Sequence, residues 1–362
     1  MEVIDAGEIG DASWDELCTD AVGAWFWHTS RWRAYTVAYR PTLESQSLAF
    51  VVVDAGRPVA LVPLMVEKLD GEGGQRFSFG GDACWSPVLV AGTEPSRARV
   101  ALREALQHVD DLAADHDVDS VALRLSPLGT GFDDHLSEFL VATTRAGYAD
   151  VSLCSQVIDL DDRPEGLRVA MSKGHRADIT RGRRTLETAV VTGADAAADF
   201  SAYRAMHALA AGRVTRPPAT FDLMETWLAT GGAALARATK DGEPVGFSYL
   251  LLHGAGAYYA SAANHPDHGQ DPIGHVLHAA AIDWLRERGI RRYEVGLQQF
   301  GPLPHDAPSA KDLGISRFKR GFGGRTVPLP VREKWYSADA YLRTVTARNG
   351  RYASTRWGAA GG

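Results

Sequence analysis

Cysteine is scarce in this chain of 362 residues: only Cys18, Cys84 and Cys154 occur. They are odd in number, widely spaced and lack a C-x-x-C pair, which argues against a disulfide framework and gives no zinc-binding pattern. Buried thiols are the expectation. Long apolar runs are also missing, none reaching the roughly eighteen residues of a membrane-spanning helix. The segment Met1-Glu2-Val3-Ile4-Asp5 has neither a basic region nor a signal-like apolar stretch. A soluble, cytoplasmic protein without membrane insertion is expected. Nor is there a surplus of positive charge: 38 Lys and Arg stand against 45 Asp and Glu, for a net −7. That balance argues against a surface generally attracted to nucleic acid and leaves room for a local basic patch.

What is present is enough chain for two globular domains, each burying its own core. In the first half, Leu48 to Asp54 and Pro58 to Val66 are β-branched runs around Asp54-Ala55-Gly56-Arg57, a hairpin signature. Helical patterns follow near 96–114 and 133–145, with strands near 120–125 and 152–160. Composition turns from acidic and apolar to basic at Asp161-Asp162-Arg163-Pro164, so the domains are set at 1–161 and 162–335, with 336–362 as a tail. The second half reads as helices at 164–186, 196–211 and 219–230, then three strands at 233–239, 244–252 and 257–263, a helix at 273–288 and a strand from 292. Asp241-Gly242-Glu243-Pro244-Val245 echoes Ala55-Gly56-Arg57-Pro58-Val59 as a turn entering a strand. The fold class is α+β.

The most informative segment runs from Ile315 to Arg325, where Arg317, Lys319 and Arg320 are threaded between Phe318 and Phe322 and closed by Gly321, Gly323 and Gly324. Glycines let a backbone approach a ligand, and clustered cations offer fixed positive charge to a developing anion. A second basic stretch holds Arg168, Lys173, His175, Arg176, Arg181, Arg183 and Arg184, with Lys173, Arg176 and Arg184 near one helical face. These suit the phosphates of an RNA acceptor stem or a nucleotide-bearing substrate. Pairing with Asp178 and Glu187 on a solvated face is the plainer alternative. His265, His268, His275 and His278 lack a carboxylate at zincin spacing, so no metal is expected and they read as loop and helix-surface histidines. Trp25, Trp27 and Trp32 read as packing residues.

Hairpin, hairpin, helix, strand is the element order of the GNAT acyltransferase superfamily. The segments Lys173-Gly174-His175-Arg176, Ala211-Gly212-Arg213-Val214-Thr215-Arg216, Tyr258-Tyr259-Ala260-Ser261, Tyr293-Glu294-Val295-Gly296 and Phe318-Lys319-Arg320-Gly321 together resemble the FemAB family of that superfamily, over about 164–331. The resemblance implies two tandem GNAT-like domains and amide formation by transfer of an aminoacyl group to an amine. It implies an aminoacyl-tRNA co-substrate, with a peptidoglycan precursor or small biosynthetic amine as acceptor and no further cofactor. It links Lys319, beside Phe318, to catalysis, assigns Arg216 and Arg213 to substrate binding, and points to Tyr259 as the hydroxyl lining the site. On physical grounds Lys319 would stabilise negative charge on the carbonyl oxygen. Glu294, at a strand end, would accept the proton of the attacking amine. Acyl-CoA is the alternative donor, although Asp267-His268-Gly269-Gln270-Asp271-Pro272-Ile273-Gly274 does not have the spacing of a pyrophosphate-cradling loop and places Asp271 where it would repel phosphate. A non-catalytic GNAT-like binding module is the alternative of another class.

Overall fold

The computed structural model describes residues 1–69, 74–161 and 164–358. Along the chain these form β1 (Glu2–Asp5), α1 (Ala6–Asp20), α2 (Ser30–Tyr39), β2 (Gln46–Ser47), β3 (Phe50–Asp54), β4 (Arg57–Val62), β5 (Met65–Lys68), β6 (Gln75–Phe77), β7 (Cys84–Trp85), β8 (Val88–Leu89), α3 (Pro95–Asp115), β9 (Val118–Arg124), α4 (Phe132–Arg145) and β10 (Ala149–Asp150). There follow β11 (Leu153–Asp159), α5 (Pro164–Ala170), α6 (Lys173–Gly182), β12 (Glu187–Val191), α7 (Ala197–Ala211), α8 (Pro218–Ala229), β13 (Ala233–Lys240), β14 (Glu243–His253), β15 (Gly256–Asn264), α9 (Ile273–Glu287), β16 (Arg292–Gln298), α10 (Ala310–Arg320), β17 (Arg325–Leu329), β18 (Val331–Trp335) and α11 (Ala338–Trp357). Among the described residues no helix is long and apolar enough to cross a membrane.

The two echoing turns share one geometry. Ala55 and Gly56 have φ of 50° and 76°, and Asp241 and Gly242 have 52° and 87°. Positive φ at both central residues makes each a two-residue type I′ turn, whose twist suits the hairpins β3–β4 and β13–β14.

Packing divides the chain into two units. The first joins Met1–Cys154 with Gln298–Gly314 and Pro328–Gly362; the second joins Ser155–Leu297 with Ile315–Val327. These limits depart from the expected cuts at 161 and 335. The turn that suggested the first cut includes residues 162 and 163, which lie outside the described residues. Beyond 327 the chain returns to the first unit because β18 pairs antiparallel with β9, from Val331↔Arg124 to Trp335↔Ser120. The segment read as a tail is largely the helix α11, whose Arg348 grips Glu333 through contacts of 2.6 and 3.1 Å.

In the first unit one sheet has the order β1-β3-β4-β8 and another β10-β18-β9-β6-β5-β2, with β7 also on β9. The helix α3 turns Ala101, Leu102, Ala105, Leu106 and Val109 inward, a stripe at helical period. Trp25 and Trp27 are buried, as expected of packing residues.

The second unit is built on one sheet of order β12-β13-β14-β15-β16-β11-β17. The helix α9 buries Val276, Leu277, Ala281, Ile282 and Leu285. It ends at Glu287, with Arg288 as its cap before Gly289, whose φ is 72°, the usual left-handed stop. Its core joins Ala281, Ile282 and Leu285 to Leu250, Tyr293, Val295, Leu167, Ile179 and Phe322. The single helix expected over 164–186 is two, α5 and α6, because Ser172 is extended and caps α6, accepting from the His175 amide at 3.2 Å.

Candidate active site

Strands β15 and β16 run parallel only through Gly256↔Arg292, Ala257↔Tyr293 and Tyr258↔Glu294. Beyond that register β15 continues to Asn264 and β16 to Gln298. Two backbone irregularities mark the parting. In the β14–β15 ladder Tyr249 faces Ser261 while Leu250 faces Tyr259, which leaves Ala260 as an extra residue, a β-bulge. In β16, Gly296 has φ of 93°, a conformation natural to glycine alone.

Alternation along β15 sends the two tyrosines to opposite faces, and the bulge beyond them brings Ser261 to the face of Tyr258. Tyr258 faces Leu251 and Ser261 faces Tyr249, so these two share one face of β15, while Tyr259, opposite Leu250, takes the other. Tyr259 packs on the core with its ring 4.5 Å from His278. Burial pushes its hydroxyl up to about 12, against the pull of a hydrogen bond with Ser248. The tyrosine that meets the catalytic candidate is Tyr258. A methyl group at Gly296 would lie 3.0 Å from Lys319 Nζ and 3.4 Å from the Tyr258 hydroxyl, so both groups converge on the space that this glycine leaves open.

Glu294 lies across the register from Tyr258 and is buried, with Ser155 Oγ donating to it at 2.5 Å. Burial holds the Lys319 ammonium below the ordinary lysine range, and the charge of Glu294 opposes that shift. Ammonium, phenol and carboxylate thus occupy one neighbourhood, where a reduced dielectric strengthens the attraction between the opposite charges.

Phe318 fixes the end of α10. Its ring centroid lies 5.4 Å from that of His175, 5.1 Å from His275, 5.8 Å from His278 and 5.1 Å from Phe322. The Phe318 carbonyl lies 2.9 Å from His175 Nε2. His278 is a core residue, not the helix-surface histidine expected, with Nδ1 2.9 Å from the Tyr293 hydroxyl. Burial, then the charges of Lys319, His275 and His175, hold it down to about 3, so it stays neutral. The glycines after α10 serve the protein's own packing, not the close approach of a ligand. A methyl on Gly321 would strike the His175 ring, one on Gly323 would press on Ala170, and one on Gly324 would strike the Val157 carbonyl.

Arg216 reaches the same face of β15 as Tyr258. It donates to Ser261 Oγ at 3.2 Å, which also accepts from the Tyr203 hydroxyl at 2.9 Å. Ser261 is two ladder positions from Tyr258, roughly 7 Å along the strand. Arg213 is exposed in the turn after α7. The basic stretch is only partly available to a ligand. Arg176 turns back onto the carbonyls of Val169 and Met171, Arg181 pairs with Asp178 at 2.9 Å and Arg183 with Asp283 at 3.0 Å, while Lys173 and Arg184 are exposed. Asp271 is held by Lys240 and by His268, each at 2.9 Å, which offsets the repulsion expected of it. At the start of α9 the Phe318 ring packs beside Gly274, where a methyl would stand 3.1 Å from it.

Tyr258, Gly296 and Ser261 entered the sequence reading only within the resembling segments, with no role assigned, and Ser155 not at all. Alternation along a strand already sets Tyr258 opposite Tyr259, whereas the bulge that brings Ser261 beside Tyr258 is announced by no residue type at 260.

Residues 173–320 match the family model described as an acetyltransferase (GNAT) domain. No curated protein matches the sequence at a significant level. Among solved structures, the fold is similar to that of FemX, with a TM-score of 0.68 at 12% identity over 95% of this chain and 100% of that one. It is also similar to the C-terminal domain of a putative lysylphosphatidylglycerol synthetase from Agrobacterium fabrum, with a TM-score of 0.59 at 15% identity, 98% of this chain and 100% of that one. L-PGS from Bacillus licheniformis gives 0.54 at 13% identity, covering 85% and 89%. The expected α+β fold is therefore present, similar as a whole to that of FemX, and residues 173–320 match a GNAT domain.

Proposed function

We propose that the second unit forms an amide by transferring an aminoacyl group, carried as an ester on tRNA, to the amine of a peptidoglycan precursor or small biosynthetic intermediate. The observation that carries this reading is the convergence of Lys319 Nζ and the Tyr258 hydroxyl on Gly296, where two β-strands part. The amine nitrogen bonds to the ester carbonyl carbon and the carbonyl oxygen takes up negative charge. The C–O bond to the ribose then breaks, the nitrogen loses a proton and the departing oxygen gains one. Lys319 and Tyr258 are the donors that stabilise the oxyanion, and such donors are most effective when preorganised and shielded from water. Glu294 stabilises the ammonium and is the nearby base for the proton of the amine. Arg216, held by Ser261, anchors substrate two ladder positions away.

A fold shared with a lysylphosphatidylglycerol synthetase, named for an aminoacyl-bearing product, supports an aminoacyl donor. The acyl-CoA reading is favoured by the description of the matched domain as an acetyltransferase. Against it stands the segment 267–274 leading into α9, which lacks the spacing of a pyrophosphate-cradling loop. Incubation with a mixture of charged tRNAs and acyl-CoAs, followed by mass spectrometry, tests the proposal. The aminoacyl-tRNA pool should be consumed in an RNase-sensitive manner. Consumption of acyl-CoA alone would establish the second reading, and binding without turnover of either pool would make the chain a binding module.

A further inference from the structure

A separate pocket of about 480 Å³ opens where α5 and α6 pack against α9. Its floor is apolar, with Leu167, Ile179 and Ile282 all buried. Its wall carries Arg168, Arg176, Arg183 and Arg286 against the one carboxylate of Asp283. Four guanidinium groups around an apolar floor are an unusual concentration on a chain of net charge −7. Part of the wall is fixed: Arg176 is bound to the carbonyls of Val169 and Met171, and Arg286 Nε donates to the Leu160 carbonyl at 3.3 Å. Part is adaptable. Arg168 is exposed, and the Arg183–Asp283 pair is more than half exposed on both sides, so solvent screening leaves it little strength against a competing anion.

We infer that this pocket binds a nucleoside phosphate, either a free nucleotide or the terminal unit of a single-stranded RNA. Guanidinium forks match phosphate oxygens in pairs and also stack on flat π faces such as a base, whose apolar body the aliphatic floor can cover. The volume falls within the range of small-ligand sites. The pocket is tied to the candidate active site through α6, where His175, next to Arg176, contacts the Phe318 carbonyl. A phosphate held here therefore rests on the helix that seats Phe318 and Lys319. The inference goes beyond the acyl-transfer reading and does not depend on it.

Calorimetric titration of the whole protein with AMP, with a 5′-phosphorylated ribotrinucleotide and with inorganic phosphate tests the inference. AMP should bind more tightly than inorganic phosphate, because phosphate alone leaves the apolar floor uncovered. Arg168→Gln and Arg183→Gln should each weaken AMP about tenfold, the scale of one lost charge-assisted hydrogen bond. Asp283→Asn should strengthen it by freeing Arg183, and Lys319→Ala should leave it unchanged, which separates this site from the catalytic one. A trinucleotide that binds more tightly than AMP identifies RNA as the source, and equal affinities identify the free nucleotide. Failure of AMP to exceed inorganic phosphate, or arginine variants that bind AMP like the parent, would overturn the inference.

Discussion

Tyr258 and Tyr259 are neighbours with opposite assignments, because successive residues of β15 face opposite sides of its sheet. The hydroxyl of Tyr258 stands with Lys319 at Gly296, whereas that of Tyr259 is buried with Ser248 behind the sheet. Tyr258→Phe should accordingly lower kcat about tenfold or more while leaving the melting temperature within a degree or two. Tyr259→Phe should do the reverse, costing about 1 kcal/mol through the lost buried hydrogen bond and leaving kcat near the parent value. Steady-state kinetics and thermal denaturation of both variants check the assignment. Activity loss confined to Tyr259→Phe would contradict it.

At the scale of elements, the strands and helices of the second unit were largely legible. Hairpin turns at Asp241-Gly242 and Gly254-Ala255 and the apolar stripe of α9 announce themselves by residue type and period. The helix α10 did not, because Ile315 to Arg320 has few buried residues of its own and its anchorage comes from a socket assembled far along the chain, from His175, His275, His278 and Phe322. The burial of His278, by contrast, was signalled by period, since it lies three and four residues before Ala281 and Ile282 on the apolar stripe of α9. That burial has a consequence for acid stability. With the imidazole held from its ordinary 6.5 down to about 3, the unfolded chain takes up a proton that the folded chain refuses between those values. The stabilisation is full above about pH 6.5 and is lost as pH falls toward 3. Urea denaturation at pH 7 and pH 4 should show the parent losing ~3 kcal/mol more than His278→Asn over that interval. An equal loss in both would remove His278 from the acid response.

For the whole molecule, a cut made by composition differs from one made by packing. The shift to basic composition at the turn beginning with Asp161 suggested a boundary, yet the chain crosses between compact units near 154, 297, 314 and 327, the last because β18 is needed as a strand beside β9. Such long-range pairing leaves no local mark. The C-terminal helix is likewise integral to its unit, since Arg348 neutralises Glu333, whose side chain is only 10% exposed. Arg348→Ala should destabilise that unit by ~2 kcal/mol, because it strands a largely buried carboxylate. A melting temperature equal to the parent's would show that the pair contributes nothing. The central claim rests on Lys319 acting on the reaction and not on affinity. Its direct test is steady-state kinetics of Lys319→Ala with the donor that the pool experiment identifies. The account predicts a fall in kcat of about 10²- to 10³-fold with KM within a few-fold of the parent; an unchanged kcat, with the whole effect in KM, would contradict it.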